Sequence, residues 1–186
     1  MLELIKKIKT DRLTIIPFTE KYITSRYISW LNNDETMRYS EQRHKEHTFE
    51  SCKIYIESFI NTPNTLWAIE ETINRFGHIG NINVYIDIHN KIADVGILIG
   101  ENKAQSRGYG YEAFKEITEY LFKNADISKI TAGTVSSNLP MVKKKKKMKM
   151  KEDGIRKQHY IIDGKKVDVM YMALFGEDMK REKNNK

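Results

Sequence analysis

The stretch Gln105-Ser106-Arg107-Gly108-Tyr109-Gly110 decides the fold, because it joins an apolar strand pattern to an amphipathic helix pattern. The β-branched run 95–99 before it predicts a buried strand. After it, apolar side chains recur at helical spacing from Ala113 to Leu121. Glycines let a backbone turn tightly, and the first amides of a helix lack partners within it and carry the positive end of its dipole. Together with the cation of Arg107, these six residues predict a diphosphate site.

The spacing of the glycines excludes two common nucleotide-binding motifs. A P-loop ends in Gly-Lys-Ser/Thr, and the dinucleotide-binding fingerprint needs a third glycine. Neither feature is present in residues 105–110. An ordinary strand-to-helix turn without a ligand remains the alternative interpretation of this stretch.

Length and composition predict one globular domain. The chain has 186 residues, of which 40% are hydrophobic, and this is enough to bury a core. No apolar run approaches the ~20 residues that a membrane-spanning helix needs, and the N-terminus has no signal-peptide core. Cys52 is the only cysteine, so neither an internal disulfide nor a cysteine metal cluster is expected. These features predict a cytoplasmic protein without a membrane partner.

The charge of the chain does not identify a partner. The net charge of +7 would suit an acidic partner such as a nucleotide or a nucleic acid. Five of the lysines, however, lie in the single run Lys143–Lys147. No aromatic residues alternate with these lysines, so base stacking has no support and nucleic acid is not the expected partner.

Periodicity and turn residues predict alternating strands and helices. Thr48 is the predicted N-cap of the second helix, and Cys52 lies on the apolar stripe of that helix, which makes it a core residue rather than a nucleophile. Asp163-Gly164 is a strong signal for a tight turn between the last two strands. The predicted strands are 13–17, 66–70, 78–88, 93–99, 129–135, 154–162 and 167–175, and the predicted helices begin near residue 19, after Thr48, after the glycine stretch and at Leu139.

Three separated matches, in the right order, resemble the GNAT acetyltransferase superfamily. Gln-x-Arg-Gly-x-Gly after a strand resembles its acetyl-CoA pyrophosphate loop. Thr10-Asp11-Arg12-Leu13, followed by Ile15 and Pro17, resembles the opening of the branch that acetylates ribosomal-protein N-termini, the RimJ/RimL type. Asn138 after the fifth predicted strand resembles the family asparagine, and Lys151-Glu152-Asp153-Gly154 with Arg156 resembles the lead into the last hairpin.

The resemblance implies an α/β (α+β) fold in a single GNAT domain over residues 1–176, followed by a polar tail at 177–186. The central sheet is expected to be mixed, mostly antiparallel and seven-stranded, with about four flanking helices. It is expected to splay between the fourth and fifth predicted strands, 93–99 and 129–135.

The resemblance also implies acetyl-CoA as cosubstrate and no metal. The pantetheine arm would lie in the splay and pair with the backbone of Ile97, Leu98 and Ile99, where one amide would polarise the thioester carbonyl. Asn138, at the opposite lip, would hydrogen-bond the same arm. The pyrophosphate would bind the amides from Arg107 to Gly110, with the side chains of Gln105 and Arg107 as partners. The cofactor-binding loop is therefore expected to consist of Gln105, Ser106, Arg107, Gly108, Tyr109 and Gly110.

The segment after Asn138 departs from the family pattern. Lys149 and Met150 stand where the family has glycine and phenylalanine. Lys145 stands where many members carry the tyrosine that is the usual candidate for protonating the departing CoA thiolate. Three interpretations of the run Lys143–Lys147 stay open: a solvated helix face whose aliphatic stems lie along the core, a helix that frays without ligand, and a patch for an acidic partner.

The groups that handle protons and bind the acceptor are less sharply indicated. Asp94 is the candidate general base, because related enzymes often carry a glutamate where this strand begins; a solvated strand-end carboxylate is the alternative. His78 and His89 are further candidates, although a lone histidine is more often structural. In this family the first two helices, their loop and the final hairpin contact the acceptor, which here suggests Trp30, Tyr39 and Arg43.

The resemblance therefore implies an acetyl-CoA-dependent N-acetyltransferase that acts by direct attack in a ternary complex. The polar, mixed-charge segment Glu41–His47 favours a primary amine of a small molecule or an amino sugar as acceptor. The N-terminus of a ribosomal protein is the alternative acceptor. A non-catalytic domain that binds acyl-CoA or an acidic partner is the alternative from another class, and the protein is expected to be a monomer or a homodimer.

Overall fold

An eight-stranded sheet forms the centre of the structure, a computed structural model that describes residues 7–178. The strands are β1 (Ile8–Lys9), β2 (Leu13–Pro17), β3 (Thr65–Glu71), β4 (Gly77–Asp87), β5 (Ile92–Ile99), β6 (Lys129–Val135), β7 (Lys151–Ile162) and β8 (Lys165–Phe175). The α-helices are α1 (Ser25–Leu31), α2 (Asp34–Met37), α3 (Phe49–Glu57), α4 (Tyr109–Asn124) and α5 (Leu139–Lys147). Among residues 7–178, no helix has the length and apolar character needed to cross a bilayer.

The sheet is mixed and mostly antiparallel, as predicted. Its strand order is β1-β2-β3-β4-β5-β6-β8-β7, and only β5 and β6 pair in parallel. The prediction of seven strands is wrong by one, because β1 also joins the edge of the sheet by pairing with Thr14 and Ile15 of β2. Two residues are too few to produce a recognisable alternation, so the sequence pattern could not reveal this strand.

The predicted splay lies between β5 and β6. These strands pair only from Ile92 to Asp94 on β5 and from Lys129 to Thr131 on β6. Beyond Asp94 and Thr131 the strands diverge, while β5 stays paired with β4 over its whole length. We call the gap beyond this last pair the slot; its closed end is at Asp94 and its open end is at Ile99.

Different helices cover the two faces of the sheet. The largest apolar cluster packs α4 against one face and includes Ile82, Ile117 and Leu121, all fully buried. On the other face, α1 and α3 form a second cluster with β3, in which Cys52 is 3% exposed, as predicted for a core residue.

Several element boundaries differ from the predicted ones. The first predicted helix divides into a 3-10 turn, Glu20–Tyr22, and α1, whose cap is Thr24. The segment predicted to break that helix forms the short α2, because the Asn33 side chain accepts a hydrogen bond from the Thr36 amide at 2.8 Å. The predicted loop 39–47 contains a 3-10 turn at Glu41–His44. The structure therefore has five α-helices among residues 7–178, rather than about four.

The last two strands form the predicted hairpin. Asp163 and Gly164 have φ values of 50° and 73°, which is the geometry of a two-residue turn that matches the strand twist. β7 and β8 extend further than predicted, to Lys151 and Lys165. The predicted tail 177–186 lies outside the described residues apart from its first two.

Candidate functional site

The loop between β5 and α4 turns through two residues with positive φ. Ser106 has a φ of 60°, and Gly108, the N-cap of α4, has a φ of 85°. That conformation favours glycine, and a Cβ at Gly108 would meet only a guanidinium nitrogen of Arg12, at 3.5 Å. The amides of Tyr111 and Glu112 both donate to the Gly108 carbonyl, at 3.0 and 3.1 Å, and they start the helix.

The five amides from Ser106 to Gly110 donate no hydrogen bond to any residue within 7–178. Backbone N–H groups at a helix N-terminus carry positive partial charge and need acceptors. Five such groups in succession form a concave surface that can bind a negatively charged group such as a diphosphate.

An ion pair that the sequence analysis did not find fixes this loop. Arg12 donates from Nε to Glu112 Oε2 at 2.7 Å and from Nη1 to the carbonyl of Arg107 at 3.1 Å. Its guanidinium also lies 4.6 Å from the centre of the Tyr109 ring. Arg12 and Glu112 are 100 positions apart in the chain, so no local pattern relates them.

The side chains of the loop have different roles. Gln105 donates from Nε2 to the carbonyl of Ile99 at 3.2 Å and so ties the loop to the end of β5. Tyr109 is 2% exposed and its hydroxyl donates to Glu71, so only its backbone faces the loop concavity. The Arg107 side chain is exposed and forms no ion pair within residues 7–178. Its guanidinium lies 5.4 Å from the centre of the Phe76 ring, and its N–H groups remain available to a ligand.

The predicted pantetheine-binding residues lie on both sides of the slot. From Val95 to Ile99, β5 pairs only with β4, and its other edge has no strand partner within the described chain. Asn138 follows β6 and caps α5, with its Oδ1 accepting from the Met141 amide at 3.3 Å. Its Nδ2 has no partner among residues 7–178 and is available to a ligand.

α5 brings Lys144 to the open end of the slot. A Cβ added at Gly110 would lie 2.7 Å from Lys144 Nζ and 3.2 Å from Ile99 Cγ1. Burial lowers the pKa of Lys144, and its Nζ has no hydrogen bond or ion pair with the described residues. An ammonium group beside the positive end of α4 favours a bound anion there.

Lys145 lies at the closed end of the slot and does not extend into solvent. It is 2% exposed, and its Nζ donates to the carbonyl of Ala132 at 2.7 Å. Burial lowers its pKa to about 7, against the opposing effect of the Asp94 carboxylate. The interpretation of the lysine run as a solvated face therefore does not hold for Lys145, although Lys143, Lys146 and Lys147 are exposed.

Asp94 belongs to a polar row on the face of the sheet that α1 and α3 cover. Its Oδ2 accepts a hydrogen bond from Thr131 Oγ1 at 2.7 Å. Tyr85, Asn83 and Asn81 of β4 alternate along the same face, opposite Asp94, Gly96 and Leu98 of β5. Asn81 Oδ1 is buried and lacks a partner within residues 7–178. Asn81 and Asn83 were not predicted as site residues. Their alternation along the predicted strand 78–88 was the sequence feature that could have indicated that they share one face of the sheet.

The candidate acceptor-binding residues lie in two places. Trp30 is 6% exposed and packs against Gly100 after β5, at the edge of a cavity of about 270 Å³. Tyr39 and Arg43 lie in the loop that meets the β7–β8 hairpin, where Arg43 donates to the carbonyls of Ser40 and Ile161 at 2.9 and 3.1 Å. The structure therefore does not bring all three to one point.

The histidine candidates have structural surroundings. His78 is 7% exposed, donates from Nε2 to the Gly80 carbonyl at 3.0 Å, and packs among four aromatic rings. Burial lowers its pKa to about 4. His89 lies in the turn between β4 and β5, at the end of β5 away from the glycine loop. Within residues 7–178, no group of three or more His, Cys, Asp or Glu side chains is placed to hold a metal.

Solved acetyltransferase structures have the same fold. RimL, the ribosomal L7/L12 alpha-N-protein acetyltransferase, was solved in complex with coenzyme A and is 15% identical to this chain. The two structures superpose with a TM-score of 0.79 over 91% of this chain and 98% of RimL. The spermidine N-acetyltransferase of Vibrio cholerae, in complex with CoA and spermine, is 19% identical, with 90% and 98% covered at a TM-score of 0.78.

Sequence comparison identifies the family. An N-acetyltransferase 9-like protein of Caenorhabditis briggsae is 23% identical over 142 residues, which cover 72% of this chain and 71% of that protein. The family model described as "Acetyltransferase (GNAT) domain" matches residues 12–151, a range that contains the loop, the slot and all five lysines of the run. The chain therefore belongs to the GNAT acetyltransferase family, whose members are acyltransferases.

Proposed function

We propose that this protein is an acetyl-CoA-dependent N-acetyltransferase whose acceptor is a primary amine of a small molecule or an amino sugar. The observation that supports this most is the set of five unpaired amides, Ser106–Gly110, beside the open end of the slot. Amides in this arrangement suit the diphosphate of CoA. The two solved relatives named above, RimL and the spermidine enzyme, each hold CoA.

In this proposal the chain binds the donor along the slot. The amides bind the diphosphate with the cations of Arg107 and Lys144. The edge of β5 that faces the slot at Ile97–Ile99 pairs with the pantetheine arm. Asn138 donates to the same arm from the opposite side. One backbone N–H of β5 polarises the thioester carbonyl, where a fixed dipole in a water-poor site is most effective.

Two side chains at the closed end handle protons. Asp94, in the last β5–β6 pair at the closed end of the slot, receives the proton of the attacking amine, directly or through a water molecule. The charged form of Lys145, in the position of the family tyrosine, supplies a proton to the departing thiolate. Direct attack needs only that the chain hold donor and acceptor in line.

The acceptor assignment rests on the polar row Asn81, Asn83 and Tyr85 beside Asp94 and on the mixed charges of Glu41–His47. Such groups suit a ligand with several hydroxyl or amino groups. The names of the relatives cover both classes, since RimL acts on a protein and the Vibrio cholerae enzyme on spermidine. A protein N-terminus, the RimJ/RimL-like function, is therefore the alternative acceptor, and a cytoplasmic location is part of the proposal.

An acceptor panel tests this proposal. N-terminal peptides, amino-sugar nucleotides, aminoglycosides and polyamines are each mixed with acetyl-CoA, and release of the free thiol is followed. We expect turnover with an amino sugar or another small amine, and a kcat at least tenfold lower for Asp94→Asn with little change in the KM for acetyl-CoA. Turnover of peptides alone would contradict the acceptor assignment.

A further inference from the structure

The environment of Lys145 is unusual for a lysine. Its side chain is 2% exposed, whereas Lys143 and Lys146 of the same helix are exposed. A buried ammonium group is normally paired with a carboxylate, because taking a charge out of water is costly. The only hydrogen bond of Lys145 Nζ within residues 7–178 goes to the backbone carbonyl of Ala132, at 2.7 Å. A neutral amine also has an N–H group that can donate to that carbonyl.

The electrostatic surroundings favour a substantial neutral fraction. Burial lowers the pKa of Lys145 against the opposing effect of the Asp94 carboxylate, the neighbouring Lys144 ammonium adds to the lowering, and the resulting pKa is about 7. At neutral pH an exposed lysine keeps only about one amine in a few thousand neutral, since its ordinary pKa is about 10.4. Only the neutral amine has a lone pair that can attack a carbonyl carbon.

The position of Lys145 brings this amine to the end of the bound donor. Asp94 and Thr131 form the last β5–β6 pair, and Ala132 is the next residue of β6. Lys145 Nζ therefore lies at the closed end of the slot, while the diphosphate site at Gly110 lies at the open end beside Ile99. A donor anchored at the open end and paired along β5 carries its acyl group towards the closed end. Fixed proximity of this kind can replace a very high concentration of free amine.

We propose that Lys145 is a self-acetylation site, modified from bound acetyl-CoA when no acceptor is present. This inference rests on the proposed function, which supplies the thioester. The neutral Nζ attacks the thioester carbonyl carbon, the C–N bond forms and the C–S bond breaks. The departing thiolate takes up the proton that Nζ loses, so the products are an Nζ-acetyl amide and the free thiol of CoA. The amide cannot be charged and fills the closed end of the slot.

The lysine run provides its own controls for a mass-spectrometric test. The full-length protein is incubated with acetyl-CoA without acceptor and cleaved after glutamate, which leaves residues 120–152 in one peptide because no glutamate lies between Glu119 and Glu152. Fragmentation then locates each acetyl group. We expect at least tenfold more acetylation at Lys145 than at Lys143 or Lys146. The modification should be absent from Lys145→Arg, present in Lys146→Arg, and unselective when the protein is unfolded in urea.

Binding of CoA is measured on the same samples by calorimetry, which separates the two proposals. If CoA binds and the exposed lysines are acetylated as much as Lys145, the self-acetylation proposal is wrong and the proposed function stands. If CoA does not bind, both are wrong. The site map of the wild-type protein decides the question even if Lys145→Arg fails to fold.

Discussion

At the scale of single residues, several polar side chains near the proposed site are buried, and their burial affects the stability of the protein. His78 Nδ1 and Asn81 Oδ1 are buried without a partner within residues 7–178, and both lie on β4. Lys145 is equally buried beside the slot. On the α4 side of the sheet, which holds the largest apolar cluster, the buried polar side chains of Glu71 and Thr118 both have hydrogen-bond partners. Such polar groups lower stability unless a water or a ligand completes their hydrogen bonds.

His78 should make the stability of the protein depend on pH. Its folded-state pKa of about 4 lies below the ordinary value of 6.5, so the unfolded state binds the proton first as the pH falls. Stability is therefore full above about pH 6.5 and decreases towards pH 4, by up to roughly 3 kcal/mol. His78→Phe keeps a ring among the four aromatic neighbours but cannot take up a proton. In this variant, the loss of stability that is due to protonation of His78 should be absent.

Urea unfolding of the wild type and of His78→Phe at pH 7, 5.5 and 4.5 measures the effect. Carboxylates that titrate in the same range are present in both proteins, so their contribution cancels when the two free energies of unfolding are compared. An equal loss of stability in the wild type and in His78→Phe would show that His78 does not titrate as its surroundings indicate.

At the scale of elements, what could be predicted from the sequence depended on length and on local signals. The strand before the glycine loop and the helix after it have clear periodicities, and both are confirmed. The Asp163-Gly164 turn is confirmed because its backbone geometry demands those residue types. β1 and α2 were missed because two and four residues span only about one period of the strand and helix patterns, which is too short for a repeat to be recognised.

Features that depend on tertiary packing could not be predicted from periodicity. Lys145 falls on the apolar stripe of α5, and for a lysine this pattern usually indicates a stem along the core with the charge in water. Only the packing of α5 against the slot shows that the charge itself is buried. The ion pair of Arg12 and Glu112 likewise exists only after β2 and α4 come together. The splay came from family resemblance and not from the residues of β5.

The contact of α5 with the start of α4 predicts a role for one lysine of the run. Lys144→Met should weaken CoA binding roughly tenfold, because a charge-assisted contact with a phosphate contributes about 1.5–3 kcal/mol and this side chain is only half-buried. Lys143→Met removes the same charge from an exposed position of the same helix and should change the dissociation constant less than twofold.

Calorimetric titration of CoA into the two variants at moderate salt measures this difference. Pantetheine, which lacks the diphosphate, should bind both variants equally. Equal weakening of CoA binding by the two substitutions would mean that Lys144 acts only through the overall charge of the protein.

At the scale of the whole molecule, segments from four parts of the chain come together at the proposed donor site. The lead into β2 supplies Arg12, the end of β5 supplies an unpaired edge, the start of α4 supplies free amides, and α5 supplies Lys144. In the described part of the chain, the sheet opens between the one pair of parallel strands, β5 and β6, and this opening gives the proposed site its place. The proposed function therefore requires that the loop at the open end bind the diphosphate of CoA.

Titration of CoA into the wild-type protein and into Gly108→Asp tests this claim most directly. Gly108 has a positive φ that aspartate tolerates better than most residues, and the added Cβ meets only Arg12 Nη2 at 3.5 Å, so the variant should fold. Its carboxylate would repel the diphosphate and compete for the free amides. We predict saturable one-to-one binding to the wild type and at least hundredfold weaker binding to Gly108→Asp. Equal affinity in the two proteins, or no binding to the wild type, would contradict the account.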